Sequence, residues 1–151
     1  MEICFTVRGN PVTKKNSQSI IQVKRRDGST RPVPLPSSQY RQYAEDFAWQ
    51  VPSSAKLAVA SPVNLQCLYY MATRRRCDLV NLLEATQDIL TDVGVLSDDN
   101  RDIVASTDGS RVYYDSKDPR VEIRITDLPD YEQWSADKPK NPSKRKGIFA
   151  K

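Results

Sequence analysis

Apolar positions recur along the chain with two different periods, and each change of period marks an element. In Glu2–Val7, Ile3, Phe5 and Val7 alternate with more polar neighbours and share one face of a strand. Gly9-Asn10-Pro11 marks a turn, and Ser19–Lys24 reads as a second strand closed by Asp27-Gly28. Arg31–Pro36 holds three prolines, which predicts a segment outside any sheet. Tyr40, Tyr43, Ala44, Phe47, Ala48 and Val51 then follow at helical spacing, with Ser37 or Ser38 as the cap and Pro52 as the stop.

Val63–Met71 alternates again and reads as a central strand. Asp78 caps a second predicted helix that runs to about Val93, with Gly94 in the position just past its end. Leu79, Leu82, Leu83, Thr86, Ile89, Leu90 and Val93 form its buried stripe. Two further strands are expected near Ile103–Thr107 and Val121–Ile125, with Tyr113-Tyr114 extending the pairing. Short strands interleaved with two helices give an α+β domain, a mixed sheet of about four to five strands with two main helices packed on one face. That domain is expected to span residues 1–129. Beyond Leu128-Pro129 the composition turns polar and basic, and residues 130–151 are expected to form a mobile tail.

Composition narrows the chemistry. No apolar stretch approaches the roughly 18 residues of a membrane span, and MEICFTVRG is too broken by Glu2 and Arg8 for a secretory signal, so a cytoplasmic protein is expected. Cys4, Cys67 and Cys77 form no CxxC and leave one thiol over, which argues against a disulfide scaffold. The chain has no histidine, which excludes a histidine base and mixed Cys/His zinc sites. No GxxxxGK[ST] or GxGxxG is present to cradle a nucleotide cofactor. Carboxylates, lysines, arginines and hydroxyls remain, and ligation by oxygen alone suits Mg²⁺ or Mn²⁺.

Charge is unevenly spread. Arg8, Lys14, Lys15, Lys24, Arg25, Arg26 and Arg31 face Asp27 alone, and the tail is again basic, so an acidic middle lies between basic arms. This asymmetry points to a polyanionic partner. The run Arg74–Asp102, RRRCDLVNLLEATQDILTDVGVLSDDNRD, combines both needs of a nuclease: cations for a phosphate backbone and clustered carboxylates for a metal. On the helical wheel Asp78, Asn81, Ala85 and Asp88 fall on one flank of the stripe. Val80 and Glu84 fall on the far side, where an apolar Val80 implies a covered surface.

RRRxDLxNL, a helix of fixed length and Gly-x-x-x-Asp-Asp together resemble the RusA family of Holliday junction resolvases. The likeness covers roughly Met71–Val104, and extends weakly to the Gly-Asn-Pro-x-x-Lys-Lys-Asn turn and to GSRVYYD. The resemblance implies a homodimeric, Mg²⁺-dependent endonuclease of bacteria and their phages that resolves four-way DNA junctions by paired symmetric nicks. Asp78 matches the family's first catalytic carboxylate, Asn81 its asparagine, Asp98 and Asp99 the paired aspartates, and Arg74, Arg75 and Arg76 the basic lead-in. The family's DxDNLxK would carry aspartate at position 80 and lysine at 84; this chain has Val80 and Glu84. Glu84, one helical turn on and longer by a methylene, can bring a carboxylate towards the place of the missing aspartate. Lys14 or Lys15 can replace the lysine. The expected metal and catalytic set is Asp78, Glu84, Asp98 and Asp99, assisted by Lys14 and Lys15. Arg74–Arg76, Arg111 and Asn81 are expected on DNA, and Tyr69, Tyr70 and Phe149 are candidates to stack on bases. The alternative is a junction-binding or single-strand-binding protein without catalysis.

Overall fold

Residues 1–14, 18–129 and 131 of the computed structural model are described below. In chain order the elements are β1 (Glu2–Arg8), β2 (Gln18–Lys24), β3 (Thr30–Pro36), α1 (Ser38–Gln50), a short 3₁₀ turn (Ser53–Ala55), β4 (Val63–Met71), α2 (Leu79–Asp92), β5 (Val104–Ser106), β6 (Arg111–Tyr114) and β7 (Arg120–Asp127).

The main sheet runs β1-β7-β4-β5, and β6 joins the same edge of β4 further along. β7 is antiparallel to both β1 and β4, whereas β5 and β6 are parallel to β4, so the sheet is mixed as expected. Register sorts the side chains. Ile3 opposes Ile125, Phe5 opposes Ile123 and Val7 opposes Val121; these in turn oppose Leu65, Cys67 and Tyr69. That apolar face meets Tyr40, Tyr43 and Phe47 of α1 and Leu82, Leu83, Ile89 and Leu90 of α2 in one core. The opposite face carries Cys4, Thr6, Gln66, Leu68, Glu122 and Arg124 around an open concavity of about 540 Å³.

The helix ends follow the sequence closely. Ser37 caps α1 by accepting from the Tyr40 amide at 3.2 Å. Asp78 caps α2 by accepting from the Val80 amide, also at 3.2 Å. Gly94 ends α2 at φ +85°, a left-handed conformation that a Cβ would strain. Inside α2, Thr86 donates to the Leu82 carbonyl at 2.9 Å and sits 2.7 Å from the Tyr69 hydroxyl of β4. The single Thr86 proton is committed to a carbonyl, so Tyr69 is the donor in that pair. This buried bond ties α2 to the middle of the sheet.

Two expectations are corrected. Arg31–Pro36 does lie in a sheet, a two-stranded ribbon with β2. Pro32, Pro34 and Pro36 occupy alternate positions, opposite Gln22, Ile20 and Gln18. Alternate residues of an antiparallel edge strand turn their amides away from the partner, so an imino nitrogen there removes no ladder bond. Tyr69 is fully buried at 0% exposure and cannot meet a base. Phe149, Lys15 and the expected tail from 130, apart from Tyr131, lie outside the described residues.

Candidate active site

Three segments meet on the helix side of the sheet. The first is α2 itself. Glu84, Asp88 and Asp92 stand at successive i+4 positions, which stacks their side chains on one ridge. All three charges bear on the Tyr40 hydroxyl of α1, whose pKa is pushed up to about 12, first by burial and then by Asp88, Asp92 and Glu84.

The second segment follows α2. The amides of Val95 and Leu96 both return to the Leu90 carbonyl, and Ser97 donates to the Val59 carbonyl at 3.0 Å. Held at both ends, the chain turns at Asp98-Asp99-Asn100. Asp98 accepts from the Asp99 amide at 2.7 Å and from the Asn100 side chain at 3.1 Å. These bonds, the Asp99 amide first, hold the Asp98 carboxyl below the usual carboxylate range. Asp99 moves the other way. Desolvation raises its pKa, and the Asp98 and Asp88 carboxyls, close enough to act on it directly, raise it further. Asp88 and Asp99 thus form a pair of like charges across the helix and the loop.

The third segment is the turn after β1. Gly9, at φ +118°, donates to the Pro119 carbonyl, and the Asn10 side chain accepts from the Ala72 amide at 2.9 Å. These contacts anchor the turn beside the loop leading into α2 and carry Lys14 to Asp88, with Nζ 3.6 Å from Oδ2. An ammonium on Asp88 offsets part of the repulsion between the two carboxylates.

Between residues 9 and 126 the chain matches the family model of Endodeoxyribonuclease RusA. The chain belongs to the RusA family. No curated protein matches it. Members of the RusA family are Holliday junction resolvases, so the family's chemistry is phosphodiester cleavage and its substrate class is branched DNA. Among the described residues no helix is long and apolar enough to cross a membrane.

Within this RusA-family chain the expected residues divide into groups. Asp98 and Asp99 come together with Lys14 through Asp88, a residue absent from the expected set. Asp88 shared a helix flank with Asp78 in the sequence; its meeting with Asp99 comes from the return of the loop, which no periodicity encodes. Asp78 stands at the other end of α2. Ten residues separate it from Asp88, about 15 Å along the axis. Glu84 lies between them on the exposed side. Among the described residues no three such side chains are placed to hold one metal ion. Arg74, Arg75 and Arg76 are exposed on the loop entering α2, and Asn81 is half-buried in its first turn. Val80 is 67% exposed, so among the described residues of one chain nothing covers the surface that its apolar character implied. Arg111 opposes Leu68 and therefore stands on the open face of the sheet, away from α2.

The donor chemistry nonetheless fits a hard divalent cation. Mg²⁺ is commonly held by only one or two carboxylates and completes its shell with water and substrate phosphate oxygens. Asp99, whose proton affinity is raised by burial and by the neighbouring Asp98 and Asp88 carboxyls, is a place where a cation relieves a real electrostatic penalty.

Proposed function

We propose that this chain is a Mg²⁺-dependent endonuclease that resolves four-way DNA junctions by paired symmetric nicks, acting as a homodimer. The observation that supports this most directly is the approach of Asp99 to Asp88 beside Lys14, in a member of the RusA family. Asp99 and Asp88 would hold the ion, with Glu84 one turn away and Asp98 fixing the loop; Mn²⁺ suits the same oxygen donors. When bound, such an ion would lower the pKa of water and polarise a phosphate oxygen, supplying an activated nucleophile in a chain that has no histidine base.

The chain's own residues have separate tasks. Lys14 offsets negative charge at the cleavage centre and can shift from Asp88 to a phosphate as the substrate enters. Arg74, Arg75 and Arg76 hold the phosphate backbone next to the start of α2, so binding falls steeply with added salt. Asp78 keeps α2 capped through one carboxylate oxygen, next to the arginine loop in the chain. Two-fold symmetry of a dimer fits two cuts on opposed strands of a junction. The bacterial or phage-infected cytoplasm follows from the same reading.

A second reading has its own support. Val80 and Glu84 replace two residues of the family motif, and no three ligands converge within the described chain. On that reading the protein binds junctions without cutting them. Incubating the protein with a synthetic mobile four-way junction, with and without Mg²⁺ or Mn²⁺, separates the two. Symmetric nicking that requires metal, and that is lost in Asp99→Asn and Glu84→Gln while junction binding persists, is the expected result. Tight binding without nicks in either metal defeats the nuclease assignment.

A further inference from the structure

The open face of the sheet carries a row that the cleavage chemistry does not use. Arg8 opposes Arg120, Arg120 opposes Tyr70 and Tyr70 opposes Tyr113, so four side chains lie in register across β1, β7, β4 and β6. Three of the four, Arg120, Tyr70 and Tyr113, form a continuous stack. The Arg120 guanidinium sits 3.8 Å from the centre of the Tyr70 ring, and Tyr70 stacks on Tyr113 with centroids 5.2 Å apart and planes 24° apart.

Its inner end is clamped. Arg120 is bound by Asp115 at 3.0 Å and Glu122 at 3.1 Å, with Asp118 at 3.6 Å, and Arg8 takes up Asp118 from the side. Those carboxylates are spent on arginines of the row. Its outer end is free. Among the described residues β6 pairs only with β4 and no strand lies beyond Tyr113, and the ring is 41% exposed. A rigid aromatic ring therefore presents an open edge position with its rotamer already fixed by the stack behind it. Two residues back on the same face of β6 is Arg111, exposed and, among the described residues, in no ion pair.

We infer that Tyr113 is a stacking platform for an unpaired base of the DNA substrate, with Arg111 on the adjoining phosphate. A π-face accepts any base, and an unpaired cation one strand-repeat away suits the backbone of the same strand. Sheet-borne aromatics that stack bases on an open face are a known solution for single-stranded segments. A four-way junction interrupts base stacking where its arms meet, so a base there is unpaired at lower cost than within a duplex. The alternative occupant of this edge, a second copy of the chain pairing along β6, is an outcome of the test below. The inference rests on the nuclease reading for the identity of the ligand.

The test uses the full chain in chelator, so that no cutting occurs. Binding is measured to a four-way junction carrying 2-aminopurine at the branch point and to an unbranched duplex, for wild type, Tyr113→Ala and Tyr113→Phe. Loss of one base stack weakens junction binding by about fivefold to a hundredfold. The expected result is a loss of this size in Tyr113→Ala, with the change in 2-aminopurine emission abolished, duplex binding unaltered and both signals kept in Tyr113→Phe. Equal junction affinity and emission in wild type and Tyr113→Ala overturn the platform while leaving junction binding intact. A fall in sedimenting mass for Tyr113→Ala without any change at the base assigns the edge to a second copy and equally overturns it. Failure of the wild type itself to bind the junction removes the nuclease reading together with this one.

Discussion

Thr86→Val removes one oxygen from the core and tests how α2, the carrier of Asp78, Glu84 and Asp88, is fixed against the sheet. Valine keeps the branched shape, so packing is preserved. What is lost is the acceptor for the Tyr69 hydroxyl, which lies 2.7 Å away in a site where both side chains have at most 1% exposure. A buried donor left without a partner costs about 1–3 kcal/mol. The Cys67 sulfur beside Tyr69 is a weak alternative acceptor and favours the lower half of that range. Tyr69→Phe removes the donor instead, and Thr86 keeps its bond to the Leu82 carbonyl, so the loss is only the net value of one hydrogen bond, about 1 kcal/mol. The double variant has no orphaned group. It should therefore be at least as stable as Thr86→Val alone, although it carries one more substitution. Equilibrium urea unfolding of the four proteins, followed by circular dichroism and fluorescence, gives the coupling directly. Simple additivity, with the double variant the least stable by the sum of the single losses, would refute both the donor assignment and the role of this bond in holding α2.

Other outcomes follow from the same geometry. Asp78→Asn should leave the melting temperature almost unchanged, because asparagine caps a helix as well as aspartate, whereas Asp78→Ala should cost about 1 kcal/mol; junction cleavage by Asp78→Asn then separates a chemical role from a capping one. Gly94→Ala meets no atom within 4 Å but must hold φ near +85°, so thermal melts should show a purely conformational loss of about 1 kcal/mol. The raised pKa of Asp99 means that the native chain binds this proton more tightly than the unfolded chain. In chelator its contribution to stability is fully present below the unfolded value of about 3.9 and is lost as pH rises through the higher folded value. Melts of wild type against Asp99→Asn across acidic pH should therefore show the variant gaining on the wild type as pH rises through that window, and a constant difference would contradict the Asp88–Asp99 contact. Lys14→Ala, which removes the offsetting charge from Asp88, should move the same window to higher pH.

Local periodicity was enough for β1, β4 and both helices, whereas the short strands β5 and β6, which show no alternation of buried and exposed positions, were legible only in approximate position. The reason is that Ile3, Phe5 and Val7, or Leu82, Leu83, Ile89 and Leu90, bury one face by spacing alone. Ser37, Asp78 and Gly94 mark helix ends through contacts within a single turn, and such contacts are equally legible. The proline-rich strand β3 was misread because the position of an imino nitrogen relative to a partner strand depends on register and on whether that strand has a second neighbour. Neither is a local property. The candidate site divides in the same way. Asp98, Asp99 and the arginine loop stood out as clustered charge, and their family pattern could be read directly. Asp88 could not, because its partner Asp99 arrives through a loop pinned by Ser97 and Leu96, and Lys14 arrives through a turn pinned by Asn10 on Ala72.

The sequence by itself determined which faces are apolar and where the helices begin and end. Tertiary structure alone decided which charges meet. Coulombic repulsion and cation stacking depend on distances between segments far apart in the chain, and those distances exist only once the sheet has set its register. The row Arg120, Tyr70 and Tyr113 shows this most directly: residues of three separate strands become one stack because antiparallel and parallel pairing on the two sides of β4 bring them level.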